Sequence, residues 1–229
     1  MDASVKVGIV GDFSFMYNAH HATNHALEHS RKLFEANLDY YWIRTSEIAD
    51  GQDNVLDNFD GLIIAPGPYQ NDFFMRLVIK KIAHKEIPVL GTGEPFRMYI
   101  EYLGSKYYSE SARDLISENE NKSNHFEKLY LHDPNGQLLK MYGSRPLVEY
   151  ASVRYSLNPE IQKFLEHNVI NVLAKEENGN LLAFADKEKP YFKFCMFAPQ
   201  VLSSEALPHP IFTTFIEDIL KAKLIPKVI

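Results

Sequence analysis

Two short runs concentrate the side chains able to do chemistry. The first is Tyr17-Asn18-Ala19-His20-His21-Ala22-Thr23-Asn24-His25, with His29 one helical turn later, and it holds four of the nine histidines of the chain. On a helix His21, His25 and His29 share one face. That face is either a metal-ligating arrangement or a solvated surface, and no carboxylate is built into the run to complete a ligand set, so no metal is expected. His20 or His21, near the start of such a helix, is placed for acid–base or ligand-binding work, and Tyr17 beside them offers a hydroxyl. The second run is Gly91-Thr92-Gly93-Glu94-Pro95-Phe96-Arg97. Glu94 has two readings: a carboxylate complementing a helix dipole ahead of Pro95, or a general base or ammonium-binding group with a histidine partner. Arg97 either pairs with Glu94 or meets an anionic ligand. Tyr69, after Pro66-Gly67-Pro68, supplies a further hydroxyl.

The single cysteine, Cys195, lies in Phe192-Lys193-Phe194-Cys195-Met196-Phe197 and reads as an inert core thiol. A lone cysteine excludes an internal disulfide and a cysteine-based zinc site.

Elements must position these groups. Val5 to Val10 is a β-branched run ending in Gly11-Asp12 and predicts a buried parallel strand; Leu38 to Ile43, Asp60 to Ala65 and Pro88 to Leu90 predict three more. Between them, helical spacing covers Asn18 to Glu35 through Ala22, Ala26, Leu33 and Ala36, Phe73 to Ala83, and Phe96 to Leu103. Residues 109–124 turn polar and predict a mobile excursion. Beyond it, Lys128 to Leu131, Leu138 to Tyr142, Leu147 to Tyr155, Val169 to Lys175, Leu181 to Ala185 and Phe192 to Phe197 predict short strands between turns such as Asn158-Pro159, before a helix from Pro210 to Lys221. The alternation predicts a single three-layer α/β domain over 1–229, with a mostly parallel central sheet, helices on both faces and a β-rich second half. Ligands of such sheets bind at the carboxyl ends of the strands, which predicts that Asp12 to His25, Pro66 to Asn71 and Gly93 to Arg97 face one cleft.

Composition limits the partners. Hydrophobic residues make up 45% of the 229 and charged residues 24%, values of a globular chain, and the net charge of -6 offers no field for phosphate backbones. Nucleic acid and membrane are excluded as expected partners. Met1-Asp2-Ala3-Ser4 opens onto a strand without a signal-peptide core, and a cytoplasmic location is expected.

Several segments resemble the class I glutamine amidotransferase domain of CTP synthase and the small stand-alone proteins related to it. Ile64-Ala65-Pro66-Gly67-Pro68-Tyr69 is similar to the family's oxyanion loop, strand then Pro-Gly-Gly-Phe-Gly. The nucleophile elbow, Ile-Pro-x-Leu-Gly-Thr-Cys-Gly-Gly-Phe-Gln, resembles the run from Ile87 to Arg97, with identities at Ile87, Pro88, Leu90, Gly91, Thr92 and Phe96. Arg154-Tyr155-Ser156-Leu157-Asn158-Pro159 resembles the strand whose arginine lies near the substrate carboxylate, and Ala198-Pro199-Gln200 stands where the family has His-Pro-Glu. Gly11-Asp12-Phe13 is similar to a Gly-Asp-Tyr that precedes a histidine in the stand-alone relatives. The resemblance implies a class I amidotransferase-like, flavodoxin-like fold. It also puts Gly93, Ala198 and Gln200 at the positions of nucleophile, base and orienting acid.

The expected function is therefore a triad-less amidotransferase-like protein that binds or transforms a small polar, nitrogen-containing metabolite in the former glutaminase cleft. Its candidate catalytic residues are Glu94 with His20 or His21; its candidate ligand contacts are Gly67, Tyr69, Arg97, Arg154 and Tyr17; no cofactor is called for. The alternative is a pseudoenzyme that acts through a synthase-like protein partner. A third possibility is residual glutaminase activity.

Overall fold

The computed structural model describes residues 4–51, 53–108, 115–118, 124–132, 137–143, 145–151, 153–189 and 191–224. The fold is mixed α/β around a large central sheet, and the chain forms two compact units: residues 1–90 with 200–229, and residues 91–199.

In the first unit the strands are β1 (Val5–Val10), β2 (Leu38–Ile43), β3 (Gly61–Ile64) and the first two residues of β4 (Val89–Thr92), in the order β2-β1-β3-β4. β1 runs parallel to β2 and to β3. Val5, Val7, Ile9, Val10, Leu62, Ile63 and Ile64 are wholly buried, as a parallel sheet covered on both faces requires. The helices are α1 (Asn18–Leu33), α2 (Thr45–Ala49), α3 (Asp72–Ile82) and, far along the chain, α7 (Pro210–Leu224). Asn71 caps α3, its side chain accepting from Phe73 N and Phe74 N. α7 packs so closely on β3 that a Cβ on Gly61 would lie 2.4 Å from Ile219.

Helix α1 buries Ala26 as its apolar spacing predicts, but the rest of its inward stripe differs from that prediction. Leu33 is 54% exposed, while His20, Thr23, Ala26, Leu27 and Ser30 face inward. Thr23 and Ser30 satisfy their hydroxyls by donating to Ala19 O and Ala26 O. The small polar residues let the helix approach closely, and spacing alone ranks them below leucine.

In the second unit, helix α4 (Glu94–Tyr107) begins at the end of β4. β7 (Tyr130–Leu131), β10 (Ile170–Lys175), β11 (Leu181–Asp186) and β12 (Phe192–Cys195) form an antiparallel run ordered β12-β11-β10-β7. Two antiparallel two-stranded pairs accompany it: β5 (Ile116–Glu118) with β9 (Tyr155–Leu157), and β6 (His125–Lys128) with β8 (Val148–Ala151). The β-rich second half follows the sequence expectation. The core is aromatic: Tyr99 of α4 stacks on Phe194 at 4.2 Å between centroids and donates its hydroxyl to Asp186 at 2.8 Å. Gly91 is required by the same packing, since a Cβ there would lie 2.4 Å from the Phe194 ring.

Two expectations for this half are corrected. Residues 138–142 form not a strand but helix α5 (Gln137–Tyr142), because Leu138 and Tyr142 are buried one turn apart while Leu139 between them is 55% exposed. Asn158-Pro159 is not a turn between strands but the start of helix α6 (Pro159–Asn168), with the Asn158 side chain accepting from Glu160 N and proline in the first turn. Of the polar stretch 109–124, residues 109–114 and 119–123 lie outside the described residues, and 116–118 are β5.

Candidate functional site

In the first unit the loop after β1 is held by two anchors. Asp12 accepts from Thr45 N and its hydroxyl at the start of α2, and from Gln70 N at 3.3 Å. The second anchor is His20, which is 1% exposed. Its Nδ1 accepts from Ser14 N at 3.0 Å, so the proton sits on Nε2, which donates to Pro66 O at 3.0 Å. The rings of Trp42, Tyr17 and Phe13 surround it at 5.0, 5.5 and 5.9 Å. Burial lowers the His20 pKa, against the Pro66 hydrogen bond and Asp12, which raise it. His20 is thus a neutral strut tying residues 14 and 66 together, with both nitrogens engaged.

His21 is half-buried and its Nε2 donates to Phe15 O at 3.2 Å. His25 is exposed and stacks on His29, whose Nδ1 meets Ser203 Oγ at 3.0 Å. Among the described residues no group of three or more His, Cys, Asp or Glu is arranged to hold a metal. Tyr17 is 40% exposed. Tyr69 donates its hydroxyl to Ala65 O at 2.5 Å, so in this arrangement that donor is spent on the backbone. Gly67 is half-buried and precedes a cis peptide to Pro68.

In the second unit the turn from β4 into α4 passes through Gly93 at φ 73° and ψ −124°, a conformation that L side chains rarely adopt. Its N–H donates to Cys195 O at 2.8 Å. Glu94 follows as the first residue of α4. Its Oε2 accepts from Arg97 Nε and Nη2 at 3.1 and 3.0 Å, and its Oε1 accepts from the Tyr155 hydroxyl. Arg97 also donates to Glu101 Oε1 at 2.7 Å and lies over the Tyr155 ring at 5.5 Å. Burial pulls the Arg97 pKa down, but the charges of Glu94 and Glu101 outweigh it and the net shift is upward. Burial and the bond to Glu94 raise the Tyr155 pKa, keeping the phenol a donor.

Arg154 turns to other partners. It is 4% exposed and its guanidinium donates to Glu127 and to Glu176. Ala198 is 1% exposed and its N–H donates to Tyr150 O at 2.7 Å, while Gln200 is equally buried in a short 3-10 turn, Pro199–Leu202. Cys195 is a buried thiol against Gly91 O and Phe197 O at 3.7 and 3.5 Å; burial, then Glu149, raises its pKa well above the usual range.

The sequence pattern of the family described as glutamine amidotransferase class-I matches residues 15–218. The chain belongs to the class-I glutamine amidotransferase family. It is 24% identical over 244 residues to CTP synthase of Staphylococcus aureus, covering 96% of this chain and 46% of that protein, so it spans about half the length of the curated relatives it matches. Among solved structures, the glutaminase domain of Trypanosoma brucei CTPS with bound acivicin superposes with a TM-score of 0.77 at 17% identity, over 95% of this chain and 94% of that one. A protein from Thermoplasma acidophilum described as one subunit of a GMP synthase gives 0.65 at 16% identity, over 98% of both chains. At these identities the structures show a shared fold.

Within this amidotransferase-family chain, sequence reasoning groups Gly93, Glu94 and Arg97 as one run and misses Tyr155 and Glu101. Glu101 lies one turn beyond Arg97 on the same helix face, a readable signal. Tyr155 is readable only as the neighbour of Arg154, since alternation along an extended segment sends adjacent side chains to opposite sides.

Proposed function

We propose that this chain is an amidotransferase-like protein without glutaminase chemistry, and that it uses the Glu94 end of α4 to bind or transform a small polar, nitrogen-containing metabolite. The observation that carries the reading is Gly93. A strained strand-to-helix turn is the device by which such folds lift a nucleophile into place, and here the turn has that backbone and no side chain. Acyl transfer from glutamine needs a nucleophile, a base and an orienting acid. By the motif resemblance in the sequence, Ala198 and Gln200 stand at the other two positions, and neither a methyl group nor a neutral amide does that proton work. Cys195 is no substitute, being buried with its thiolate disfavoured.

Glu94 supports the binding half of the proposal. Arg97 and Tyr155 fix its carboxylate, 19% exposed, in one orientation. Three donors use most of the roughly four lone-pair sites of a carboxylate. Acceptor capacity remains on Oε1 for one N–H of an ammonium or amide group. If the site turns over its ligand, Glu94 is the base. Arg97, beside it, is the candidate contact.

Thermal unfolding against glutamine, other amino acids and nucleotides tests this, with wild type, Glu94→Gln and Glu94→Ala side by side. A ligand at a hundredfold its Kd adds about 2.7 kcal/mol, roughly 5–10 °C at this size. A shift present in wild type and absent in both variants is expected; a shift that survives in both removes Glu94 from the site.

A second reading, association with a synthase-like partner, rests on Phe15 and Met16, adjacent and 82% and 87% exposed in the loop after β1. It predicts co-purification that is lost on Phe15→Ser with Met16→Ser and indifferent to Glu94→Gln.

A further inference from the structure

The second unit contains a polar cavity that the Glu94 reading does not use. Its volume is about 310 Å³, and it is lined by Glu127 of β6, Arg154 ahead of β9, and Glu176, Glu177 and Asn178 from the turn between β10 and β11. That turn is closed by its own hydrogen bonds: Glu176 N donates to Asn180 O at 2.9 Å, Gly179 N to Glu176 O at 3.1 Å, and Asn180 N to the Asn178 side chain at 3.0 Å. Neither Glu94, Arg97 nor Tyr155 lines the cavity.

Its charges do not balance. Arg154 donates through Nη1 to Glu127 and through Nη2 to Glu176, and the His125 ring sits beside both, 2.8 Å from Glu127 Oε2 and 3.1 Å from Arg154 Nη1. Three carboxylates face one guanidinium, a formal excess of two negative charges. The hydrogen bonds do not close either. Glu176, with its side chain 3% exposed, leaves Oε1 without a partner, and Arg154 leaves Nε without one. Buried charged groups are ordinarily paired and fully hydrogen-bonded, because the interior gives nothing back for a lost hydration shell. An Arg–Glu network built only for stability has no use for an unpaired carboxylate oxygen beside a cavity.

We propose that this cavity is a binding site for a small organic cation bearing a primary ammonium group. The ammonium donates to Glu176 and Glu127 and offsets the excess charge, with Glu177 and Asn178 at the rim. A hydroxyl or carbonyl oxygen on the same molecule gives Arg154 Nε its acceptor, which favours amino alcohols and amino amides over plain alkylamines. The volume lies at the low end of ligand sites, about 300–1,000 Å³, so the ligand has few heavy atoms. With no described group of three or more ligating side chains arranged for a metal, an organic cation fits better than an inorganic one. An anion is repelled by the same excess charge.

Isothermal titration calorimetry on the full chain tests this with ethanolamine and glycinamide, against tetramethylammonium and magnesium chloride at matched ionic strength. Saturable binding of the two primary amines is expected, with none for tetramethylammonium, which has the charge and no N–H. Glu176→Gln should weaken binding at least about tenfold, as loss of a charge-assisted hydrogen bond does. Glu177→Gln, at an exposed position where the fold is safe, should weaken it about threefold. Glu94→Ala leaves this affinity unchanged, which separates failure here from failure at the elbow. No saturable binding, equal binding of tetramethylammonium or magnesium, or unchanged affinity in the Glu177→Gln variant would overturn the proposal and leave the cluster a structural ion-pair network.

Discussion

Removing the Tyr155 hydroxyl should loosen Glu94 by a measurable and coupled amount. In the structure the phenol donates to Glu94 Oε1 while Arg97 occupies Oε2, and Glu94, Arg97 and Glu101 are each less than one-fifth exposed. Tyr155→Phe removes one hydrogen bond to a charged acceptor, worth about 1.5–3 kcal/mol when buried and less here because the carboxylate keeps some contact with water, so about 1–2 kcal/mol is expected. Glu94→Gln removes the charge that Arg97 pairs with, although Glu101 still holds the guanidinium, and a similar loss of about 1–2 kcal/mol follows. The two changes break one shared contact, so the double variant should lose less than the sum, with a coupling of about 1 kcal/mol. Urea unfolding at pH 7, followed by circular dichroism, measures all four proteins. Additivity within about 0.3 kcal/mol would refute the claim that Tyr155 orients the Glu94 carboxylate.

Other outcomes follow from the same structure. His20 has a lowered folded pKa, so the unfolded chain binds its proton more readily; the stability it contributes is complete above pH 6.5 and falls away as pH drops below that value. Urea midpoints between pH 7.5 and 5.5 should show this slope, and His20→Gln should make it shallower, leaving the share of His29, whose pKa burial also lowers. Gly91→Ala forces a methyl group against Phe194 at 2.4 Å and should cost about 1–3 kcal/mol, read as a lower thermal midpoint. Cys195 is 2% exposed with a raised pKa, so a thiol reagent should label it only at the rate at which the native protein opens, and at once in urea.

Much of the first unit was legible because its determinants are local. Val5 to Val10 and Leu38 to Ile43 are β-branched or aromatic runs bounded by turn residues, and both strands have the predicted ends. The elbow was legible for the same reason, since glycine, glutamate and proline in succession specify a tight strand-to-helix turn. What escaped depends on distant partners. The buried stripe of α1 is set by small residues that back-bond within the helix, so its leucine at position 33 misled. Gln137 to Tyr142 is short enough for strand and helix patterns to compete, and the burial of Leu138 with Tyr142 decides it. Arg154 matched a family motif in sequence, yet its guanidinium is set by Glu127 and Glu176, residues 27 and 22 positions away. The role of His20 depends on Pro66 O, 46 positions along, which no local pattern announces.

The central claim, that this fold has lost glutamine hydrolysis and kept a binding group at the elbow, is tested most directly by glutamate release from glutamine with purified protein. The account predicts no release above the uncatalysed background in wild type. It predicts none in Gly93→Cys either, because a thiol alone lacks the base and acid that Ala198 and Gln200 do not provide. Release by wild type that disappears in Cys195→Ser would contradict the account, since it would make a buried thiol the nucleophile.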